Sequence, residues 1–364
     1  MSGNFEQGKQ FFLTGLAHYQ AGRFEQAERD FSAALSLVPG RPSTLTNLGA
    51  TRIKLGRFGE ALQLLDEALA AEPGNAQALG QSAVALAELG RPAAALERAE
   101  RSLALDAGQA ALWSLRGGLL KDMGRPQEAA QALRQAIALG ADGELERFFL
   151  AALEGGAAPL APPAHYVEAL FDSYSEGFDQ HLVEVLNYRA PQVLVQGLQQ
   201  MNRRFASALD LGCGTGLCGR LLRPLAQRLE GVDLSENMVA AARAAGCYDA
   251  LAQADLVEHL AGATGRHDLL VAADVFIYVG ALEAVFAAAA GALQPGGVFC
   301  FSVEEGAPAH DLSLRPSARY AHSARSIEAL AARHGFELGA MEAQPLREDQ
   351  REPVPGLYYW LLRR

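Results

Sequence analysis

The sequence predicts an α + α/β chain in two parts, an all-α solenoid of paired helices followed by a doubly wound α/β domain. Three observations carry this. A 34-residue interval recurs through the first 140 residues, a stretch rich in Gly, Ala and Pro follows it, and short apolar runs then alternate with alanine-rich segments. A chain of 364 residues is also too long for one typical domain. We assign residues 1–150 to the repeats, 151–164 to a linker and 165–364 to the second domain.

The repeat is seen in four columns that keep step: Gly22, Gly56, Gly90 and Gly124; Ala27, Ala61, Ala95 and Ala129; Gly15, Gly49, Ala83 and Gly117; Phe31, Leu65, Ala99 and Leu133. About four helix-turn-helix units result. Each has small residues where two helices approach and Gly at the turn, and Pro39 and Pro73 end second helices. The pattern resembles the tetratricopeptide repeat family, with Gly15, Tyr19, Ala27, Phe31, Ala34 and Pro39 carrying the likeness in the first unit. The third unit departs from it at Ala99, Ser102 and Ala107, where the family has larger residues or Pro. The resemblance implies a curved solenoid whose concave face takes a protein or peptide partner, or a second copy in a homodimer. Lys and His are scarce here, so the array is expected to bind and not to react.

The linker, EGGAAPLAPP at 154–163, opposes both helix continuation and strand pairing. Beyond it, apolar runs at 208–211, 229–232, 269–275 and 298–303 read as strands of a parallel sheet covered by helices on both faces. The first strand runs into Asp210, Leu211, Gly212, Cys213, Gly214, Thr215 and Gly216, with a helix expected from about Leu217. A glycine-rich turn in that place lets the backbone approach a ligand closely. Asp210, two residues before the first glycine, suits a cationic amine or sulfonium better than a pyrophosphate. A second strand ends at Asp233, where a carboxylate can accept both hydroxyls of a ribose, and Asp255 follows a third strand.

In order, the segments DLGCGTG, GVDLSENM, QADL, AADVFIY and LQPGG look like a class I S-adenosylmethionine-dependent methyltransferase. The resemblance covers about residues 165–364 and implies a Rossmann-like domain with S-adenosyl-L-methionine as cofactor. Carried over position by position, Asp210, Gly212, Cys213, Gly214, Thr215 and Gly216 surround the cofactor's amino-acid moiety, and Asp233 holds the ribose. Leu234 and Met238 flank the adenine, Asp255 and Leu256 lie at its edge, and Asp274 and Val275 sit near the sulfur. Residues 165–191 are similar to the N-terminal cap of bacterial tetratricopeptide-containing predicted methyltransferases, with Tyr174, Phe178 and His181 on its inner face. Asp210, the QADL segment and the LQPGG turn point away from a nicotinamide enzyme.

Methyl transfer from a sulfonium has its leaving group already activated, so positioning and, where necessary, a base are what the protein must supply. The base candidates are His322 first, then His181 and Tyr278, with His259 and His310 behind them. No NPPY-type segment occurs, which leaves open an oxygen, sulfur, carbon or amine acceptor on a small molecule or presented by a protein. The alternative is a non-catalytic scaffold that binds the cofactor without turnover.

Composition excludes several classes. Half of the residues are hydrophobic and 20% charged, which describes a globular chain. A net charge of -11 argues against nucleic acid as a partner. The polar N-terminus lacks a signal-peptide layout and no apolar run approaches a membrane span, so a cytoplasmic chain without a membrane partner is expected. Cys213, Cys218, Cys247 and Cys300 lack zinc-site spacing, and neither metal nor disulfides are expected.

Overall fold

The computed structural model describes residues 2–141, 143–163, 165–172, 182, 186–349 and 351–364. The chain divides into two compact units, Met1–Leu153 and Glu154–Arg364.

The first unit is a run of helix pairs: α1 (Ser2–Gln20) with α2 (Phe24–Leu37), α3 (Pro42–Lys54) with α4 (Phe58–Ala71), α5 (Ala76–Glu88) with α6 (Pro92–Leu105), and α7 (Ala110–Asp122) with α8 (Pro126–Ala138). A last helix, α9 (Glu144–Glu154), buries Phe148 and Ala152 on its apolar face. The turns within the pairs hold Gly22, Gly56, Gly90 and Gly124 at φ between 69° and 73°, a left-handed conformation that a Cβ would strain. Where the helices of a pair touch, Gly49 leaves room for Leu65: a methyl on Gly49 would stand 2.8 Å from Leu65 Cγ. Gly15 with Phe31 and Gly117 with Leu133 repeat that contact.

The third pair reverses the exchange. Ala83 replaces the glycine and Ala99 replaces the large partner, and both are fully buried in one cluster. A methyl gained on one helix is thus matched by a side chain shortened on the other, which keeps the close approach. Ser102 is satisfied in its buried place, since its hydroxyl donates to the Ala76 carbonyl at 2.8 Å and accepts from Gln109 Nε2 at 3.0 Å. Two of the third unit's departures, Ala99 and Ser102, are therefore compensated within it.

The second unit holds a nine-stranded sheet. Strands β1 (Phe205–Leu211), β2 (Ala226–Asp233), β3 (Ala250–Gln253), β4 (His267–Ala272) and β5 (Leu293–Glu305) lie in the order β3-β2-β1-β4-β5, all parallel. Successive residues feed opposite faces. Leu209, Leu211, Leu270, Phe299 and Phe301 pack on one side, against the helices Glu283–Ala292 and Ala324–Arg333. Ala208, Leu269, Val271, Val298 and Cys300 pack on the other, against Ala190–Gln200 and Leu217–Leu222. Burial on both faces explains why these strands read as continuous apolar runs.

The sheet departs from the all-parallel expectation beyond β5. A long hairpin of β8 (Phe336–Asp349) and β9 (Glu352–Arg363) adds β9 antiparallel to β5. Two short strands, β6 (Leu312–Leu314) and β7 (Tyr320–His322), pair antiparallel with each other, and β7 continues parallel to the end of β5. Leu357, Tyr359 and Leu361 of β9 enter one face of the core, and Tyr358 and Trp360 the other. The hairpin brings Arg347 back to the C-terminal ends of β4 and β5, which positions the site. Among the described residues no helix is long and apolar enough to cross a membrane, and no cluster of three or more His, Cys, Asp or Glu is arranged for a metal.

Candidate functional site

A cavity of about 430 Å³ opens at the C-terminal ends of β1, β2 and β4. That size lies within the usual range for small-molecule sites. One end is lined by Gly212, Cys213, Gly214, Thr215, Asp233, Leu234, Met238, Asp255 and Leu256, which β1, β2 and β3 bring together from three separate sequence segments. At the other end stand Phe171, Tyr188, Asp274, Val275, Tyr278, Val279 and the chain at 160–163.

The turn after β1 is built around Gly214. Its φ is +53°, a Cβ placed on it would meet nothing within 4 Å, and its N–H donates to Asp233 Oδ2 at 2.9 Å. Asp233 Oδ1 accepts from the Ser235 N–H at 3.0 Å. Burial raises the Asp233 carboxyl above the ordinary carboxylate range, and these backbone donors oppose the rise. With two of roughly four acceptor positions used, the carboxylate keeps capacity for a vicinal diol. Ser235 also ties the turn to the helix Tyr166–Asp172 by donating to Asp172 Oδ1 at 2.5 Å.

Other expected residues are placed differently. Asp210 does not line the cavity: it is 1% exposed, and its Oδ2 accepts from the Tyr248 hydroxyl at 2.7 Å. Burial pushes its carboxyl up to about 7, Tyr248 holding it back and Asp233 adding to the rise. Gly216 is also absent from the lining; it sits at φ +91° as the N-cap of Leu217–Leu222, packed toward Ala245 and Tyr248. Asp255 lines the cavity and at the same time caps the helix Leu256–Ala261, its Oδ1 accepting from Val257 and Glu258 N–H. Cys213 faces the cavity as a buried thiol that burial holds in its neutral form.

The base candidates separate in the same way. His322 does not line the cavity, which corrects its first-choice role. It is 3% exposed, its Nε2–H donates to the Gly280 carbonyl at 2.8 Å, and burial pushes its pKa down to about 4, opposed by that hydrogen bond. It braces the 278–281 wall from behind. His259 and His310 are not among the lining residues either. Tyr278 does line the cavity, on a 3₁₀ turn Phe276–Tyr278, packed edge-on to Phe171 and hydrogen-bonded to Arg319. Tyr174, Phe178 and His181 lie outside the described residues.

Sequence reasoning missed several groups. Residues 160–163, read as linker, line the cavity, and the Leu160 carbonyl accepts from the Ala281 N–H at 2.7 Å. Tyr188 donates its hydroxyl to the Ala273 carbonyl at 3.1 Å. Behind Asp274 runs a buried charge network: Arg347 Nη1 donates to Asp274 Oδ2 at 2.7 Å, Arg347 Nη2 bonds Glu304, and Arg315 Nε lies 2.8 Å from Glu304 Oε2. Asp274 has a left-handed backbone, φ +59°, and its N–H donates to the Ser302 hydroxyl at 2.9 Å. Only a polar residue in an otherwise apolar strand, such as Ser302 or Glu304, could have signalled this network in the sequence.

The lining fits a nucleoside bearing a short charged chain. Gly214 offers open backbone, Asp233 offers acceptor capacity for a ribose, and Leu234, Met238 and Leu256 offer apolar walls for a base. When bound, S-adenosylmethionine supplies an electrophilic methyl group on a sulfonium; the chain's own part is to hold it and to exclude water.

Comparison with known proteins agrees. Residues 209–301 match the family described as "Methyltransferase domain". Residues 18–78, 52–119 and 110–139 match tetratricopeptide repeat families. The malonyl-[acyl-carrier protein] O-methyltransferase of Enterobacter lignolyticus (strain SCF1) is 32% identical over 136 residues, 37% of this chain and 52% of that protein. The chain thus spans about half the length of the curated relative it matches. Among solved structures, magnesium protoporphyrin IX methyltransferase (ChlM) from Synechocystis PCC 6803, with bound SAH, is similar at a TM-score of 0.43 and 17% identity, covering 54% of this chain and 98% of that one. A thermophilic TPR protein from Thermus thermophilus is similar at a TM-score of 0.37 and 24% identity, covering 41% and 83%. By the family matches, the chain carries tetratricopeptide repeats within residues 18–139 followed by a methyltransferase domain at 209–301, and that domain points to S-adenosylmethionine as the methyl donor.

Proposed function

We propose that the chain is an active methyltransferase that transfers the methyl group of S-adenosylmethionine to a small-molecule or protein-presented acceptor. The observation that carries this reading is one continuous cavity with two ends of different chemistry. The lining around Gly214 and Asp233 suits the cofactor, and the more apolar lining around Phe171, Tyr188 and Tyr278 is where a second reactant would lie. Holding both reactants in one cavity supplies most of what an already activated methyl group needs. Within it, Asp233 holds the ribose, Leu234 and Met238 flank the adenine with Asp255 and Leu256 at its edge, and Val275 lies toward the sulfur.

The repeats serve as a surface for a protein partner or a second copy. The curated relative is named for an acceptor on an acyl-carrier protein, and a carrier-borne acceptor is one way such a surface would contribute. Titration calorimetry of the full chain with S-adenosylmethionine and S-adenosylhomocysteine, with NAD as control, tests the cofactor. Binding of the first two and not NAD is expected; binding of neither would overturn the methyltransferase reading.

A further inference from the structure

Residues 160–163 and 165–172 form a strap along the cavity, and its two ends are fastened to the segments that follow β4 and β2. At the first end the Leu160 carbonyl accepts from the Ala281 N–H at 2.7 Å. It lies so close to Gly280 that a Cβ on that residue would overlap it. At the second end Asp172 closes the helix Tyr166–Asp172: its Oδ1 accepts from the Ser235 hydroxyl at 2.5 Å, and its carbonyl accepts from Asn237 Nδ2 at 3.1 Å. Between the two fastenings Pro162, Pro163, Val167 and Phe171 line the cavity, and Phe171 stands edge-on to Tyr278 with 5.0 Å between ring centroids.

Two features set the strap apart from the rest of the wall. Of its described residues Pro163 alone is buried, so little buried apolar contact opposes its release. Its second fastening is made on the same serine that holds Asp233: the Ser235 N–H donates to Asp233 Oδ1 and the Ser235 hydroxyl donates to Asp172 Oδ1. One residue thus sets the position of both the ribose carboxylate and the strap. Resting on the cofactor placement above, we propose that the strap is a closing element whose Asp172 latch is coupled to occupancy of the cofactor end, and that it holds the nucleoside in the cavity. A ribose on Asp233 fixes the 233–235 turn, and with it the hydroxyl that Asp172 accepts. The bound nucleoside also presents surface to the strap residues that line the cavity. By linkage the strap tightens the ligand by the factor with which the ligand tightens the strap. Asp172 is a positioning residue in this arrangement.

The test uses the full chain with S-adenosylhomocysteine as the probe. Hydrogen–deuterium exchange reads the first fastening at the Ala281 amide and the strap helix at the Ala169 amide, which donates to the His165 carbonyl. Both should exchange on the order of 10-fold more slowly at saturating ligand. Surface plasmon resonance reads the second fastening: Asp172→Ala should release the ligand about 10-fold faster, the effect of losing one hydrogen bond to a charged group. Asp172→Asn keeps an oxygen for Ser235 and should restore slow release. Unchanged exchange at a concentration that calorimetry shows to be saturating overturns the proposal. So does an unchanged release rate from folded Asp172→Ala, or an Asn variant as fast as the Ala variant, which would assign the effect to charge and not to the latch. Absence of ligand binding by wild type overturns the cofactor reading itself, a distinct outcome.

Discussion

Replacing Asp233 with Ala removes two things at once. In the free protein its carboxylate accepts from the Gly214 N–H at 2.9 Å and the Ser235 N–H at 3.0 Å, tying the glycine turn after β1 to the end of β2. In the proposed complex it would also accept the ribose hydroxyls, which in the variant would be buried without an acceptor. An unsatisfied buried polar group costs about 1–3 kcal/mol, so S-adenosylhomocysteine should bind roughly 5- to 150-fold more weakly to the variant. Calorimetry gives the affinity, and thermal unfolding reports separately on the loss of the two backbone contacts. Asp233→Asn refines the test, because its amide keeps the shape but presents a carbonyl oxygen and two N–H donors where only acceptors are useful. Unchanged affinity in a folded Asp233→Ala protein would refute the placement of the ribose.

Three further outcomes are expected. Gly49→Ala should destabilise the repeats by about 1–3 kcal/mol through the 2.8 Å approach to Leu65; adding Leu65→Ala should cost less than the sum of the two changes, as the Ala83 and Ala99 pairing implies, and strict additivity in denaturant titrations would contradict that account. Arg347→Met leaves Asp274 and Glu304 buried without their shared cation and should lower stability by about 3–5 kcal/mol; a loss under about 1 kcal/mol would mean the two carboxyls are neutral in the folded chain. His322 is neutral when folded, with a pKa near 4, against about 6.5 when unfolded, so its stabilising effect is whole above pH 6.5 and is lost as pH falls toward 4. The stability gap between wild type and His322→Gln, measured by urea unfolding, should therefore narrow by on the order of 3 kcal/mol from pH 7 to pH 4, and a constant gap would place the imidazole in contact with water.

The repeats were legible because each unit is local. A 34-residue interval, a left-handed glycine at each turn and a small residue at each close approach are properties of neighbouring chain. Even there, the pairing of Ala83 with Ala99 became intelligible only once the two helices were seen in contact. In the second domain, the strand, turn and helix around Gly214, the acid at the end of β2 and the Asp255 segment could be read in order, because the glycine turn and the acids at strand ends follow from parallel-sheet geometry.

By itself, then, the sequence determined the helix pairs, the five parallel strands, and the glycine turn and strand-end acids Asp233 and Asp255 that line the cavity. Tertiary structure decided what faces the other end. Asp210 turned away to Tyr248 because alternate strand residues feed opposite faces and its own face is packed. His322 was taken up by the Gly280 carbonyl, leaving a buried imidazole to brace the wall. Arg347 meets Asp274 across 73 positions of sequence because an antiparallel hairpin returns along β5. Contacts of that span depend on how strands are ordered in the sheet, a choice that local pattern does not encode, and so the charge network behind Asp274 could be recognised only in three dimensions.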